Sequence, residues 1–173
     1  GIDLLGLQET RGTGNPRRAG GYYRASASAD RGHGGCEIWV RAGACVMMRD
    51  GTSVALNAES IAVLHAEPRH LVVSIVAASF RLVVYVAQAP NNSGATASAI
   101  TAWWEHAVDV IAACRGECAN LLCMHDVNQH LPPDAGQSVG SLGWRGTFGA
   151  ADDASSYDAL GCVLPATFPE HAF

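Results

Sequence analysis

Apolar and polar positions alternate over short stretches in the first half of the chain, a pattern typical of β-strands. Between Cys36 and Arg41 every second position is aliphatic or a thiol. This predicts paired strands over 22–26 and 35–41, joined by a glycine-rich turn in which His33 is a solvated surface residue. The β-branched stretches 71–77 and 80–87 predict a hairpin, and shorter strands are predicted over 44–48, 53–56 and 60–65.

Two further apolar stretches are nearly continuous, which is typical of strands covered on both faces. Ile2–Leu7 is followed by Gln8 and Glu9, and Leu121–Met124 is followed by Asp126 and Asn128. Because side chains alternate along an extended chain, Asp126 and Asn128 point the same way if the strand continues through them. Polar side chains are therefore expected at the ends of buried strands, where sites are commonly built.

Between these strands, apolar residues at helical spacing predict an amphipathic helix over 98–114. Trp103 and Trp104 are expected to pack in the core against the sheet rather than to stack on bases. Pro90 stops the preceding strand, so Gln88 lies at a strand end. Beyond Asp134 the pattern predicts a glycine-rich loop over 136–149 and a short helix over 152–160.

Length and composition favour a single domain over 1–173 with a substantial core, since 49% of the 173 residues are hydrophobic. No stretch reaches the roughly 18 apolar residues of a membrane helix, and no secretory signal is recognisable. We therefore expect a soluble, intracellular protein that does not associate with membranes. The chain starts inside a strand-like stretch without Met, which suggests a fragment.

Charge gives a mixed indication about partners. The net charge of −5 disfavours non-specific binding to nucleic acid, yet residues 1–31 carry five Arg against three acidic residues. All eleven basic residues are Arg, the side chain best suited to forked contacts with phosphate, although a biased source genome explains this usage equally well.

The cysteines also leave alternatives open. All six are expected to be free thiols in a reducing compartment, because several lie in apolar stretches. A zinc cluster of Cys118, Cys123, His125 and His130 is the alternative, although their spacing is not that of a zinc motif.

The order of these signals carries a resemblance that covers nearly the whole chain. Leu-Leu-Gly-Leu-Gln-Glu-Thr at 4–10, a Gly-Gly hairpin, Ala-Pro-Asn at 89–91, a helix, and Met-His-Asp-Val-Asn at 124–128 follow one another. This order resembles the endonuclease/exonuclease/phosphatase superfamily. The stretches 164–170 and 34–40 are similar to the nuclease-type domains found beside reverse transcriptases.

The resemblance implies a four-layer α/β sandwich, incomplete here at both termini, that hydrolyses phosphodiesters with Mg²⁺, or with Mn²⁺. It implies nucleic acid as the partner, DNA rather than RNA. Glu9 would bind the metal, Asp126 would orient or deprotonate the attacking water, and Asn128 would hold a phosphoryl oxygen. Gln88 occupies the position of a phosphate-contacting residue.

Several departures from the superfamily pattern keep other functions open. Gln88 replaces a His or Tyr, and His125 replaces a Gly close to the site where the water would attack. An Asn-bearing first strand would precede Gly1 and a terminal Asp-His pair would follow Phe173, so this fragment is expected to be weak or inactive. The alternatives are a non-catalytic binding or structural module and a phosphatase acting on small molecules or phosphoinositides; the sequence does not indicate an oligomeric state.

Overall fold

The computed structural model describes residues 2–12, 17–91, 94–118, 120–126 and 128. Contacts divide the chain into two units, the first comprising 1–88 with 111–126 and the second 89–110 with 127–173. The first unit contains every strand described below. The predicted loop at 136–149, the predicted helix at 152–160 and the motif at 164–170 lie outside the described residues.

The first unit is built from two four-stranded sheets and a small two-stranded sheet. Sheet I has the strand order β1-β4-β3-β2, sheet II has the order β10-β9-β8-β7, and β5 pairs with β6. The strands are β1 (Leu4–Gln8), β2 (Arg17–Ala19), β3 (Tyr22–Ala27), β4 (Cys36–Arg41), β5 (Cys45–Met47), β6 (Ser53–Ala55), β7 (Ile61–Glu67), β8 (His70–Ala77), β9 (Phe80–Gln88) and β10 (Leu121–Asp126).

Both predicted hairpins are confirmed. β3 and β4 pair antiparallel from Tyr22 opposite Arg41 to Ala27 opposite Cys36. β8 and β9 pair antiparallel along their whole length and are joined by two residues, of which Ala78 has the positive φ of 51° that a tight turn requires. The pattern of β-branched residues and turn residues was therefore sufficient to place these strands.

The predicted four-layer α/β sandwich is wrong. Of the described residues 47% lie in strands, which form three sheets, and a single α-helix accompanies them. The physical reason is the length of the connections, because none between consecutive strands from β1 to β9 exceeds eight residues. A crossover helix needs a dozen residues or more, and the described parts of these connections hold turns and one short 3₁₀ helix at Ala58–Ser60.

The hydrophobic core of the first unit combines residues from one face of sheet I with residues from one face of sheet II. From sheet I come Ala25, Ala27, Cys36, Ile38 and Val40, and from sheet II Leu71, Val73, Ile75, Ala77, Val84 and Val86. These positions are spaced two apart along each strand, as one buried face of a sheet requires. The first unit is therefore a β-sandwich.

Gly6 lets β1 approach sheet II closely. A Cβ atom at this position would lie 2.8 Å from Val86 Cγ2 and 2.6 Å from Met124 Sδ. Carbon atoms do not approach to 2.8 Å without displacement, and a β-branched side chain such as Val86 has little freedom to turn aside. A glycine inside the strand is therefore a packing requirement of the sandwich.

We predict that Gly6→Ala destabilises the chain by about 1–3 kcal/mol, since overpacking displaces Val86 and Met124. Urea unfolding of Gly6→Ala, Val86→Ala and the double variant measures the effect. Val86→Ala alone costs stability by leaving a cavity, but it also makes room for the added methyl group. The double variant should be more stable than the sum of the single effects predicts, and strict additivity would show that the two sites do not touch.

The predicted helix is confirmed as α1 (Ala97–Arg115), one residue longer at each end than expected. Thr96 caps it, since its Oγ1 accepts from the Ala99 N–H at 3.2 Å, and Gly116 with φ of 55° follows its last turn. Trp103 and Trp104 are 8% and 2% exposed, so both are buried as predicted. Within the described residues no helix is long and apolar enough to cross a membrane.

β10 pairs in parallel with β9, from Leu121 opposite Val83 to Asp126 opposite Gln88. The expectation that it is covered on both faces is wrong at Leu122, which is 36% exposed. Met124 packs against the core of the sandwich, and Gly6 lies next to it. β10 therefore ends at Asp126 beside the core.

Candidate functional site

Three strands from both sheets end at one edge of the sandwich. β1 ends at Gln8, and the Gln8 side chain donates a hydrogen bond from Nε2 to the Met124 carbonyl oxygen at 2.9 Å. β9 ends at Gln88 and β10 ends at Asp126, which are paired in the parallel ladder. Glu9, Gln88 and Asp126 follow or close these strands, and we refer to the three residues as the rim.

Because side chains alternate along a strand, two rim residues, Gln88 and Asp126, lie on the same side of sheet II. Val86 and Met124 both contribute to the core between the sheets, and Gln88 and Asp126 stand two positions further along the same strands. They therefore project on the core side of sheet II, at its edge, with Cα atoms one strand spacing of about 4.8 Å apart. Glu9, on the facing sheet, is the third member.

A second side-chain hydrogen bond between the two sheets joins two rim residues. Gln88 Nε2 donates to Glu9 Oε1 at 2.7 Å. An ionised carboxylate only accepts, so the Gln88 amide must present its nitrogen to Glu9. Gln88 is 3% exposed, whereas the Glu9 side chain is solvent-exposed. The contact holds one oxygen of Glu9 and leaves Oε2 without a protein partner among the described residues.

The Gln88 Oε1 atom is buried and accepts no hydrogen bond from any described residue. A buried acceptor left without a donor costs about 1–3 kcal/mol, so a donor at this position would stabilise the chain. The sequence did not reveal this feature, because it depends on which way the amide is turned. The nearest signal in the sequence was that Gln88 stands at a strand end.

The backbone at Glu9 is held in an uncommon conformation. Glu9 has φ of 53° and Arg11 has φ of 51°, both in the left-handed region that non-glycine residues rarely adopt. The Thr10 N–H donates to the Gly35 carbonyl and the Arg11 N–H to the Gly34 carbonyl, each at 3.1 Å. Strained residues of this kind persist only where surrounding contacts fix them, and they cluster at functional sites.

Asn128 could point the same way as Asp126 only if the strand continued through both residues. β10 ends at Asp126, and Asn128 has φ of 48°, so the extended conformation does not continue through it. Asn128 belongs to the second unit, where its Nδ2 donates to the Ala89 carbonyl at 2.7 Å. The condition under which Asp126 and Asn128 were expected to point the same way is therefore not met.

His125 faces away from the rim, contrary to the expectation that it crowds the site. It stands one position before Asp126, so its side chain projects on the other face of sheet II. There it meets Tyr85 edge to face with ring centroids 4.7 Å apart, and His70 Nδ1 lies 2.5 Å from the Tyr85 hydroxyl. The three rings form a cluster behind the rim.

Burial sets the protonation states of two groups in that cluster. Burial, and then the neighbouring His70, lower the pKa of His125 to about 4, so it is neutral at neutral pH. Burial raises the pKa of Tyr85 above its ordinary value, so Tyr85 keeps its proton. Tyr85 and His125 therefore support the rim as packing and contribute no charge to it.

The zinc alternative includes His130, which lies outside the described residues.

Among known proteins, no family model and no curated protein matches the chain. The chemistry of the rim therefore has to follow from its own residues.

Proposed function

We propose that the chain is a divalent-cation-dependent phosphodiester hydrolase whose reaction takes place at the rim. The observation that carries the proposal is the Gln88–Glu9 hydrogen bond. It ties the end of sheet I to the residue paired with Asp126, so that two carboxylates far apart in sequence come to one edge. Both side chains are solvent-exposed, which leaves them accessible to a substrate.

The donor chemistry of the rim fits a hydrated Mg²⁺ or Mn²⁺ ion. Such ions prefer oxygen ligands, and Mg²⁺ keeps several of its waters, so that one or two carboxylates suffice to hold it. Glu9 is the residue that would hold the ion, through the oxygen that Gln88 leaves available. When bound, the ion supplies positive charge that stabilises the phosphoryl oxygens as negative charge develops on them.

The remaining roles fall to residues of the chain. Asp126 orients the attacking water and accepts its proton, the task of a general base. Gln88 fixes Glu9 by donating to it, and cannot itself supply a titratable proton. Asn128 is the predicted donor to a phosphoryl oxygen, and that role stays a prediction. Arg11, exposed and two residues beyond Glu9, offers a cation to a phosphate.

Nucleic acid is the proposed substrate class, with DNA ahead of RNA, because the stretches 34–40 and 164–170 resemble nuclease-type domains found beside reverse transcriptases. The net charge of −5 favours a local cationic contact over a broad basic surface. The second candidate function is a non-catalytic module, which would bind the cation and hydrolyse nothing. The observation that favours it is Gln88, which replaces a titratable residue.

The test is cation-dependent cleavage of plasmid DNA and of bis(p-nitrophenyl) phosphate by the chain and by Asp126→Asn. We expect weak activity with Mg²⁺ or Mn²⁺ that EDTA removes, and a kcat reduced roughly 100-fold or more in the variant, because a general base contributes at least that factor. Asp109→Asn, at an exposed helix position, is the matched control. Equal kcat for the chain and Asp126→Asn, or no cation-dependent cleavage at all, would overturn the proposal.

A further inference from the structure

Two tight turns of the first unit carry the same arrangement of side chains. One is Asp30-Arg31-Gly32-His33, in which Asp30 and His33 exchange both backbone hydrogen bonds, at 2.9 and 2.8 Å. The other is Glu67-Pro68-Arg69-His70, in which Glu67 and His70 are the last antiparallel pair of β7 and β8. Each turn therefore sets a carboxylate beside an imidazole and carries an Arg between them.

The two turns lie against one another. The Gly35 N–H donates to the Pro68 carbonyl at 2.6 Å, and a Cβ on Gly34 would lie 2.8 Å from the same oxygen. Gly34 has φ of 73°, so only glycine accommodates both the conformation and the contact. Between the turns is a cleft of about 380 Å³, lined by Asp30, Arg31, His33, Glu67, Pro68, Arg69 and His70.

The same backbone contacts connect this cleft to the rim. The Gln88 N–H donates to the Arg69 carbonyl at 3.1 Å, and the Thr10 N–H donates to the Gly35 carbonyl at 3.1 Å. Arg69, which lines the cleft, is thus hydrogen-bonded directly to the rim residue Gln88. Gly35, which flanks the cleft, is hydrogen-bonded to Thr10, the neighbour of Glu9. A chain-like substrate bound at the rim could therefore extend to the cleft.

We propose that the cleft binds the nucleotide unit next to the phosphodiester that the rim cleaves, which rests on the proposed function. The guanidinium groups of Arg31 and Arg69, one from each turn, suit bidentate contact with a phosphate. Arg31 is exposed and makes no side-chain bond to a described residue. The volume of about 380 Å³ lies near the lower end of the range of small-ligand pockets.

The carboxylates explain why the cleft suits a nucleotide and not a bare anion. Asp30 and Glu67 carry the opposite charge to the two arginines, although Glu67 Oε1 also lies 3.4 Å from His65 Nε2, so the cleft holds both signs of charge. Carboxylate oxygens accept hydrogen bonds from base amino groups, while the guanidinium groups donate to phosphate. The substrate class is therefore a polynucleotide, and a small diester with a single phosphate would not use the cleft.

The test compares Arg31→Ala combined with Arg69→Met, which keeps an unbranched side chain at position 69, with the control Arg49→Ala in the β5–β6 turn. Fluorescence anisotropy of a fluorescein-labelled single-stranded oligodeoxyadenylate, whose bases carry amino groups, with Ca²⁺ in place of Mg²⁺, measures binding. We expect the double variant to have a Kd raised about tenfold or more. The slope of log K against the logarithm of the salt concentration should become smaller in magnitude by roughly 0.7 for each phosphate that the variant no longer neutralises. Hydrolysis of bis(p-nitrophenyl) phosphate should be unchanged.

An unchanged Kd and salt dependence would overturn the cleft proposal, and so would an equal loss of activity on bis(p-nitrophenyl) phosphate, because that substrate does not reach the cleft. The two proposals fail separately. If the chain cleaves neither substrate but binds the oligodeoxyadenylate in an Arg31- and Arg69-dependent way, the hydrolase fails and the cleft stands. Far-ultraviolet circular dichroism of the double variant confirms that it folds.

Discussion

Replacing Glu9 by glutamine is expected to abolish cation-dependent hydrolysis while the fold stays intact. Glutamine has nearly the same shape, and its carbonyl oxygen can accept the hydrogen bond that Gln88 now donates to Glu9 Oε1. The variant loses only the negative charge that holds a divalent ion. We expect kcat/KM to fall by more than about 100-fold and binding of Mn²⁺, measured by calorimetry, to weaken in parallel.

Glu59→Gln is the matched control, since Glu59 is an exposed carboxylate on the 3₁₀ helix of the first unit. Both variants should keep the free energy of unfolding to within about 0.5 kcal/mol, as surface substitutions usually do. Full activity in Glu9→Gln would remove Glu9 from the mechanism. Weakened Mn²⁺ binding with unchanged cleavage would separate the cation site from the reaction.

Local patterns predicted the elements because their causes are local. Strand alternation and β-branched residues located β3, β4, β8 and β9, and the spacing of apolar residues located α1 to within one residue at each end. Strand ends were equally visible, since Glu9, Gln88 and Asp126 each follow an apolar stretch. Those three residues were therefore selected from the sequence for a physical reason.

The arrangement of the elements was not visible in the same way. The Glu9–Gln88 hydrogen bond joins residues 79 positions apart, and no local pattern fixes which sheet faces which. The layered α/β architecture was inferred from motifs that resemble a superfamily, whereas the short connections between strands exclude crossover helices from β1 to β9. The connections between the predicted strands from residue 22 to residue 87 are equally short in the sequence, and they are stronger physical evidence about the architecture than the motifs.

The contacts that require a glycine at a given position are also not visible in the sequence. Gly6, Gly34 and Gly35 look alike in the sequence, yet each is required by a different neighbour, respectively Val86, Pro68 and Thr10. Such requirements appear only when distant segments are brought together. The backbone of Glu9–Arg11 depends on the last two of these glycines, so the position of the Glu9 carboxylate is set from outside its own strand.

Gly35→Ala should therefore disturb the rim without changing any of its side chains. Gly35 has φ of 88°, and a Cβ there would lie 2.9 Å from Thr10 Oγ1 and 3.0 Å from the Arg11 nitrogen. The left-handed conformation costs roughly 1–2 kcal/mol for alanine, and displacement of the Glu9–Arg11 backbone adds about 1–3 kcal/mol. We expect urea unfolding to show a loss of about 2–5 kcal/mol in total, from these two costs.

The variant Gly51→Ala separates the cost of the left-handed conformation from the cost of displacing the Glu9–Arg11 backbone. Gly51 has φ of 83°, close to that of Gly35, but a Cβ there meets nothing within 4 Å. It should cost only the conformational part, about 1–2 kcal/mol, and leave Mn²⁺ binding unchanged. Gly35→Ala should weaken Mn²⁺ binding about tenfold or more, since a displacement at a ligand's supporting contacts typically costs that much. Equal stability losses and unchanged Mn²⁺ binding in both variants would mean that the Gly35 contact does not position Glu9.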